Sequence, residues 1–103
     1  MEKFKDITED IIAIHDLKNR QYGNSFSKRF SQFDEKKRGA GLQYAVGRMA
    51  DKMERLITMA FNPELEFLGN ESIIDNLKDL AAYAIMTVEE VSRSDEGYDL
   101  DPE

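Results

Sequence analysis

Apolar residues return every three or four positions along most of the chain, and that spacing predicts helices. Phe4, Ile7, Ile11, Ile14 and Leu17 share one face of a helix expected from about Phe4 to Arg20. Thr8-Glu9-Asp10 brings acids close to its start, where the helix dipole favours them. Tyr22-Gly23-Asn24-Ser25 then breaks the pattern. Gly23 and Asn24 tolerate positive φ, and Ser25 is suited to cap the next helix. That short helix is expected from Ser25 to Phe33, with Phe26, Phe30 and Phe33 as its apolar side. The charged stretch from Asp34 to Ala40, leading into Gly39-Ala40-Gly41, reads as a mobile loop.

A second long helix is expected from about Leu42 to Phe61, with Leu42, Val46, Met49, Met53, Leu56 and Ala60 as its apolar stripe. Asn62-Pro63 ends it, because a residue before proline is pushed out of the α region. After the connection from Pro63 to Gly69, Asn70 is a good N-cap with Glu71 just inside. The third long helix runs from there to about Ser92. Ile73, Ile74, Leu77, Leu80, Ala81, Ala84, Ile85 and Val88 give it a broad apolar face, while Ala82 and Met86 make its other side only partly polar. A helix apolar on two sides sits centrally or in a subunit interface.

No stretch alternates like a strand and no segment repeats. The fold class is therefore all-α: a small bundle of three long helices plus a short one, completed by dimerisation. Residues 1–92 form one domain, and the acidic stretch 93–103 reads as a disordered tail. The homodimer expectation rests on the thin core that helices of this length give one protomer.

Composition narrows the function. With 103 residues and no Cys, disulfide frameworks, thiolate zinc sites and cysteine nucleophiles are excluded. No apolar run approaches the roughly 20 residues of a membrane span, and the first residues lack a signal-type stretch. A cytoplasmic location without a membrane partner is expected. The net charge of -7 argues against a double-stranded nucleic acid partner. A small anionic ligand held by a few Lys or Arg, or through a metal, remains compatible.

Helical geometry groups the candidate chemistry. Tyr44, Arg48, Asp51 and Arg55 fall on one stripe of the second long helix, with Glu54 beside it. Asp75 and Asp79 share a face of the third with Ala82 and Met86, and Tyr83 lies next to them. Carboxylates four apart project to one place, so Asp51, Glu54, Asp75 and Asp79 together form a candidate Mg²⁺ set. The arginines suit phosphate oxygens. The same spacings also fit plain surface ion pairs, and spacing alone favours that simpler reading. His15 sits among Ile11, Ile14 and Leu17 and reads as a helix-flank residue. Gly39-Ala40-Gly41 lacks the lysine and preceding strand of a phosphate loop.

Three segments resemble a known family. Lys18-Asn19 followed by Tyr22-Gly23-Asn24-Ser25-Phe26 looks like the tyrosine-glycine motif of the nucleotide modification associated domain 1 family. Gly47-Arg48-Met49-Ala50-Asp51-Lys52-Met53-Glu54-Arg55-Leu56 and Glu71 to Ile85 resemble its later helices. The resemblance spans about residues 18 to 90 and implies a phage-type protein of nucleotide metabolism, working in the cytoplasm of a bacterial host cell. The acidic helix is also similar, more weakly, to the all-α NTP pyrophosphatase superfamily of MazG-like proteins. Where those enzymes carry paired acidic motifs for Mg²⁺, this chain reads Asp51-x-x-Glu54 and Asn76-x-x-Asp79. The Asn76 amide lacks the charge of a carboxylate.

Three functions stand as expectations. The first is a nucleotide-binding protein, with or without turnover, using Tyr22, Arg48, Asp51, Lys52, Arg55, Asp75, Asp79 and Tyr83. It would sequester a nucleotide or assist nucleotide modification. The second is an Mg²⁺-dependent nucleotide pyrophosphohydrolase. The third is a helical inhibitor of a host enzyme, with the acidic tail as its contact.

Overall fold

The computed structural model describes residues 2–22, 24–64 and 72–93, with the side chains of Glu2 and Tyr22 excepted. Those residues form four helices and no strand: α1 (Glu2–Tyr22), α2 (Ser25–Lys36), α3 (Ala40–Phe61) and α4 (Ile73–Arg93). The all-α bundle is thus as the periodicity predicts. α3 lies between α2 and α4, and α1 rests on α4. The expected Asn70 cap and the acidic tail beyond Arg93 lie outside the described residues. The helix start that is described belongs to Ser72, whose Oγ accepts the Asp75 backbone N–H at 3.0 Å.

The turns show why the elements end where they do. Asn24 takes up left-handed backbone, φ 61°, and its N–H returns to the Asn19 carbonyl at 3.3 Å. Such a closure satisfies an orphan carbonyl at the end of α1. Asn24, rather than Ser25, is the cap residue of α2.

The segment read as a mobile loop is mostly helix. α2 continues through Asp34 to Lys36, and only Lys37 to Gly39 turn. The Asp34 Oδ1 accepts the N–H groups of Gly39 at 3.1 Å and Gly41 at 2.9 Å. A carboxylate at the start of α3 satisfies donors that the helix leaves open and meets the positive end of its dipole. Charge here builds the turn.

The core is aromatic and small. Phe26, Phe30 and Ala45 are buried, with Tyr44, Tyr83, Met86 and Val91 packed around them. Phe26 is the hub: its ring centroid lies 5.6 Å from those of both Tyr44 and Tyr83. Leu56 and Met59 are buried further along α3.

Two expected apolar stripes turn inward only in part: Leu56 is buried and Leu42, Met49, Leu80 and Ala81 are half-buried. On α3 the buried positions are Gly41, Ala45, Leu56 and Met59, while Val46, Met53 and Ala60 of the predicted stripe are exposed. On α4 the buried positions are Asn76, Thr87 and Glu90, whereas Ile73, Ile74, Leu77, Ile85 and Val88 are exposed. The polar residues turn inward because each has a local partner. Asn76 Nδ2 donates to the Ser72 carbonyl at 2.8 Å, Thr87 Oγ1 to the Tyr83 carbonyl at 2.7 Å, and Arg93 Nη1 to Glu90 Oε2 at 2.7 Å. α1 buries no described residue completely, and Phe4, Ile7 and Leu17 remain open.

Two glycines of α3 give a paired prediction. A Cβ on Gly41 would come within 2.6 Å of the Phe30 ring and 2.7 Å of the Phe30 carbonyl oxygen, whereas one on Gly47 would meet nothing within 4 Å. Gly41→Ala is therefore expected to destabilise by about 1–3 kcal/mol, as overpacking does. Gly47→Ala should stabilise by roughly 0.5–1 kcal/mol through helix propensity. Urea unfolding of both variants checks the opposite signs.

Candidate functional site

A cleft of about 530 Å³ opens where α1 and α3 stand on either side of α4. Helical spacing delivers its residues. From α1 come Ile11, Ile14, His15, Lys18 and Asn19, positions of one face. α3 contributes Arg48 and Lys52, four apart. α4 supplies the floor with Asp75, Lys78, Asp79, Ala82, Tyr83 and Met86, while Ser25 and Phe26 at the start of α2 close one end.

Asp79 is the centre of its polar network. Its Oδ1 accepts from Lys18 Nζ at 3.2 Å and its Oδ2 from Lys52 Nζ at 3.1 Å, so one carboxylate joins α1, α3 and α4. Lys52 is the enclosed arm, its side chain 18% exposed against 51% for Lys18. Solvent screening limits the Lys18 arm to about 1 kcal/mol or less. Burial by itself would raise the Asp79 carboxyl, but the hydrogen bonds and charges of Lys52 and Lys18 outweigh it and hold it below the ordinary value. Lys78 is paired with Asp10 of α1 at the cleft edge.

Arg48 and Tyr83 form the second arrangement. Arg48 Nη2 donates to the Tyr83 hydroxyl at 2.9 Å, and its guanidinium carbon lies 5.5 Å from the ring centre. That hydrogen bond and the nearby tyrosine raise the Arg48 pKa above its ordinary value. The guanidinium thus sits beside an aromatic pair, since Tyr83 also packs against Phe26.

The cleft therefore collects five of the sequence-predicted binding residues: Arg48, Lys52, Asp75, Asp79 and Tyr83. Asp51 and Arg55 are exposed and do not line it, although Asp51 lies close enough to Arg48 to act on its charge. The Tyr22 side chain lies outside the described residues.

The candidate Mg²⁺ set is not assembled. Among the described residues no group of three or more His, Asp or Glu could hold a metal ion. The reason is helical register. With about 100° per residue, Arg48 and Lys52 share the cleft stripe, while Asp51 lies about 60° and Glu54 about 120° further round from Arg48. Asp79 meanwhile is engaged by two lysines.

Lys18, Lys78, His15 and Phe26 belong to the cleft but were not expected there. For Lys18 a signal existed, because it continues the Ile11 and Ile14 face of α1, where a lysine is out of place. His15 carries the same signal, as a neighbour of those isoleucines on that face.

The class that fold and site define is a four-helix, all-α protein with a cationic-aromatic cleft between α1, α3 and α4. Comparison with known proteins gave no match to any family model, curated protein or solved structure.

The Asp79 clamp makes a signed prediction. By NMR, Asp79 should titrate below the ordinary aspartate value of about 3.9. Its contribution to stability is present above the unfolded-state value and is lost as pH falls through the lowered folded-state value. Lys52→Ala should move the titration upward, because burial then loses its main counterweight. An Asp79 that titrates at or above the ordinary value in the unaltered protein contradicts the clamp.

Proposed function

We propose that the cleft binds a nucleotide. One observation carries the reading: a chain of net charge -7 lines this cleft with four cationic side chains, Lys18, Arg48, Lys52 and Lys78, against two lining carboxylates, Asp75 and Asp79, with Asp10 holding Lys78 at its edge. A local excess of positive charge, partly shielded from water, selects an anion. Next to it Tyr83, half-buried and backed by the buried Phe26, brings an aromatic ring to the cleft wall, where a base can stack. Phosphate plus base is the ligand class that uses both halves.

Asp79 stands in the place of an anion. Its carboxylate between two ammonium groups shows the kind of group that Lys18 and Lys52 hold, and a phosphate competes with it for both. Arg48, already turned along Tyr83, adds a planar fork for a second phosphate oxygen. Asp75 faces the same space and accepts hydrogen bonds from a ribose or base. No step here requires a metal.

This reading agrees with the resemblance of residues 18 to 90 to a nucleotide-associated family. On it, the protein sequesters a nucleotide or presents one to an enzyme of nucleotide modification. A phage protein acting in a bacterial cytoplasm fits either role.

Calorimetric titration with mono-, di-, tri- and cyclic nucleotides, with and without Mg²⁺, tests the proposal. Saturable heat is expected with at least one nucleotide, recovered intact afterwards. Arg48→Ala and Lys52→Ala should each weaken binding about 10- to 100-fold, the loss of one charge-assisted hydrogen bond. Release of pyrophosphate would replace the binding role with hydrolysis. No heat with any nucleotide at millimolar concentration would overturn the proposal.

A further inference from the structure

The cleft occupies one flank of the α3–α4 pair, and the opposite flank is apolar. On α3, Val46, Met53 and Ile57 share a stripe on the other side of the buried positions from Arg48. On α4, Ile73, Ile74, Leu77, Ala81, Ala84, Ile85 and Val88 fall within ~120° of arc, turned away from Asp79 and the cleft. The two helices run antiparallel, since Met59 meets Asn76 while Arg48 meets Tyr83. With that orientation both stripes lie on the same side of the pair and form one continuous face.

The face is large. Its members include Ile74 at 63%, Val88 at 64% and Val46 at 52% exposure. At roughly 150–200 Å² for a fully open aliphatic residue, these side chains leave on the order of 750 Å² of surface uncovered, above the about 300–600 Å² typical of the largest patch on a monomer. A standard stable interface buries about 800 Å² per partner.

We infer that this face pairs with a second copy of the same chain, α4 against α4 and antiparallel. The α4 stripe is self-matching. A two-fold axis midway between Ala82 and Tyr83 sets Leu77 opposite Val88 of the second copy and Ala81 opposite Ala84, each contact occurring twice as an isologous interface requires. The central alanines let the helix backbones approach while the larger side chains interdigitate outside them. Both clefts stay open, because they lie on the flanks that the pairing leaves free. The inference is independent of what the cleft binds.

Sedimentation equilibrium of the full chain tests it. The expected mass is about 24 kDa, twice the 11.9 kDa of one chain. Val88→Glu and Ala84→Arg are each expected to give the single-chain mass with helical circular dichroism retained, because both positions are exposed within a protomer. A single-chain mass for the unaltered protein at ~100 µM overturns the inference, and so does a dimer that survives both substitutions.

Discussion

The arrangement of the cleft depends on one carboxylate. Asp79, on α4, receives Lys52 from α3 and Lys18 from α1. α1 has few other holds: its isoleucines and leucine are only partly covered, and none of its described residues is fully buried. Where a helix is not fixed by apolar burial, a partly buried ion pair sets its position. Asp79 thus bridges the two walls of the cleft, and the Lys78–Asp10 pair is a second tie between α1 and α4. An anion that competes for those lysines alters the link between the helices as it binds.

The aromatic core gives the other half of the site. Phe26 stands at the start of α2 immediately after the Asn24 turn, so the left-handed residue that ends α1 also determines where the hub ring enters. Tyr83 belongs both to the core, against Phe26, and to the cleft, against Arg48. The aromatic core thus extends directly into the wall of the cleft. A site built on packed helices holds its donors in place before a ligand arrives, which lowers the ordering cost of binding.

Much of the fold was legible in the chain. The three- and four-residue spacing placed the helices, Tyr22-Gly23-Asn24-Ser25 and Asn62-Pro63 marked two boundaries, and the shared face of Asp75, Asp79, Ala82 and Met86 is the floor of the cleft. What escaped has physical causes. The charged run from Asp34 looked like solvated loop, yet the Asp34 carboxylate serves the backbone donors at the start of α3. The widest apolar stripes of α3 and α4 looked like core, yet the inward faces carry Gly41 and Ala45 for close approach, and Asn76 and Thr87 bonded to their own helix. Periodicity shows that a face is apolar without showing whether the same chain covers it. Lys18 and Lys78 escaped for a related reason: pairs that span 61 and 68 positions are set by tertiary packing, which local spacing does not record.

The central claim is that the cleft between α1, α3 and α4, and no other surface, receives a nucleotide. Amide and side-chain NMR shifts during titration with a nucleoside monophosphate test it most directly. The account predicts saturable shifts concentrated at Lys18, Arg48, Lys52, Asp79 and Tyr83, with the exposed apolar flank of α4 unmoved. Shifts that are absent, or spread over the surface without saturating, would contradict it.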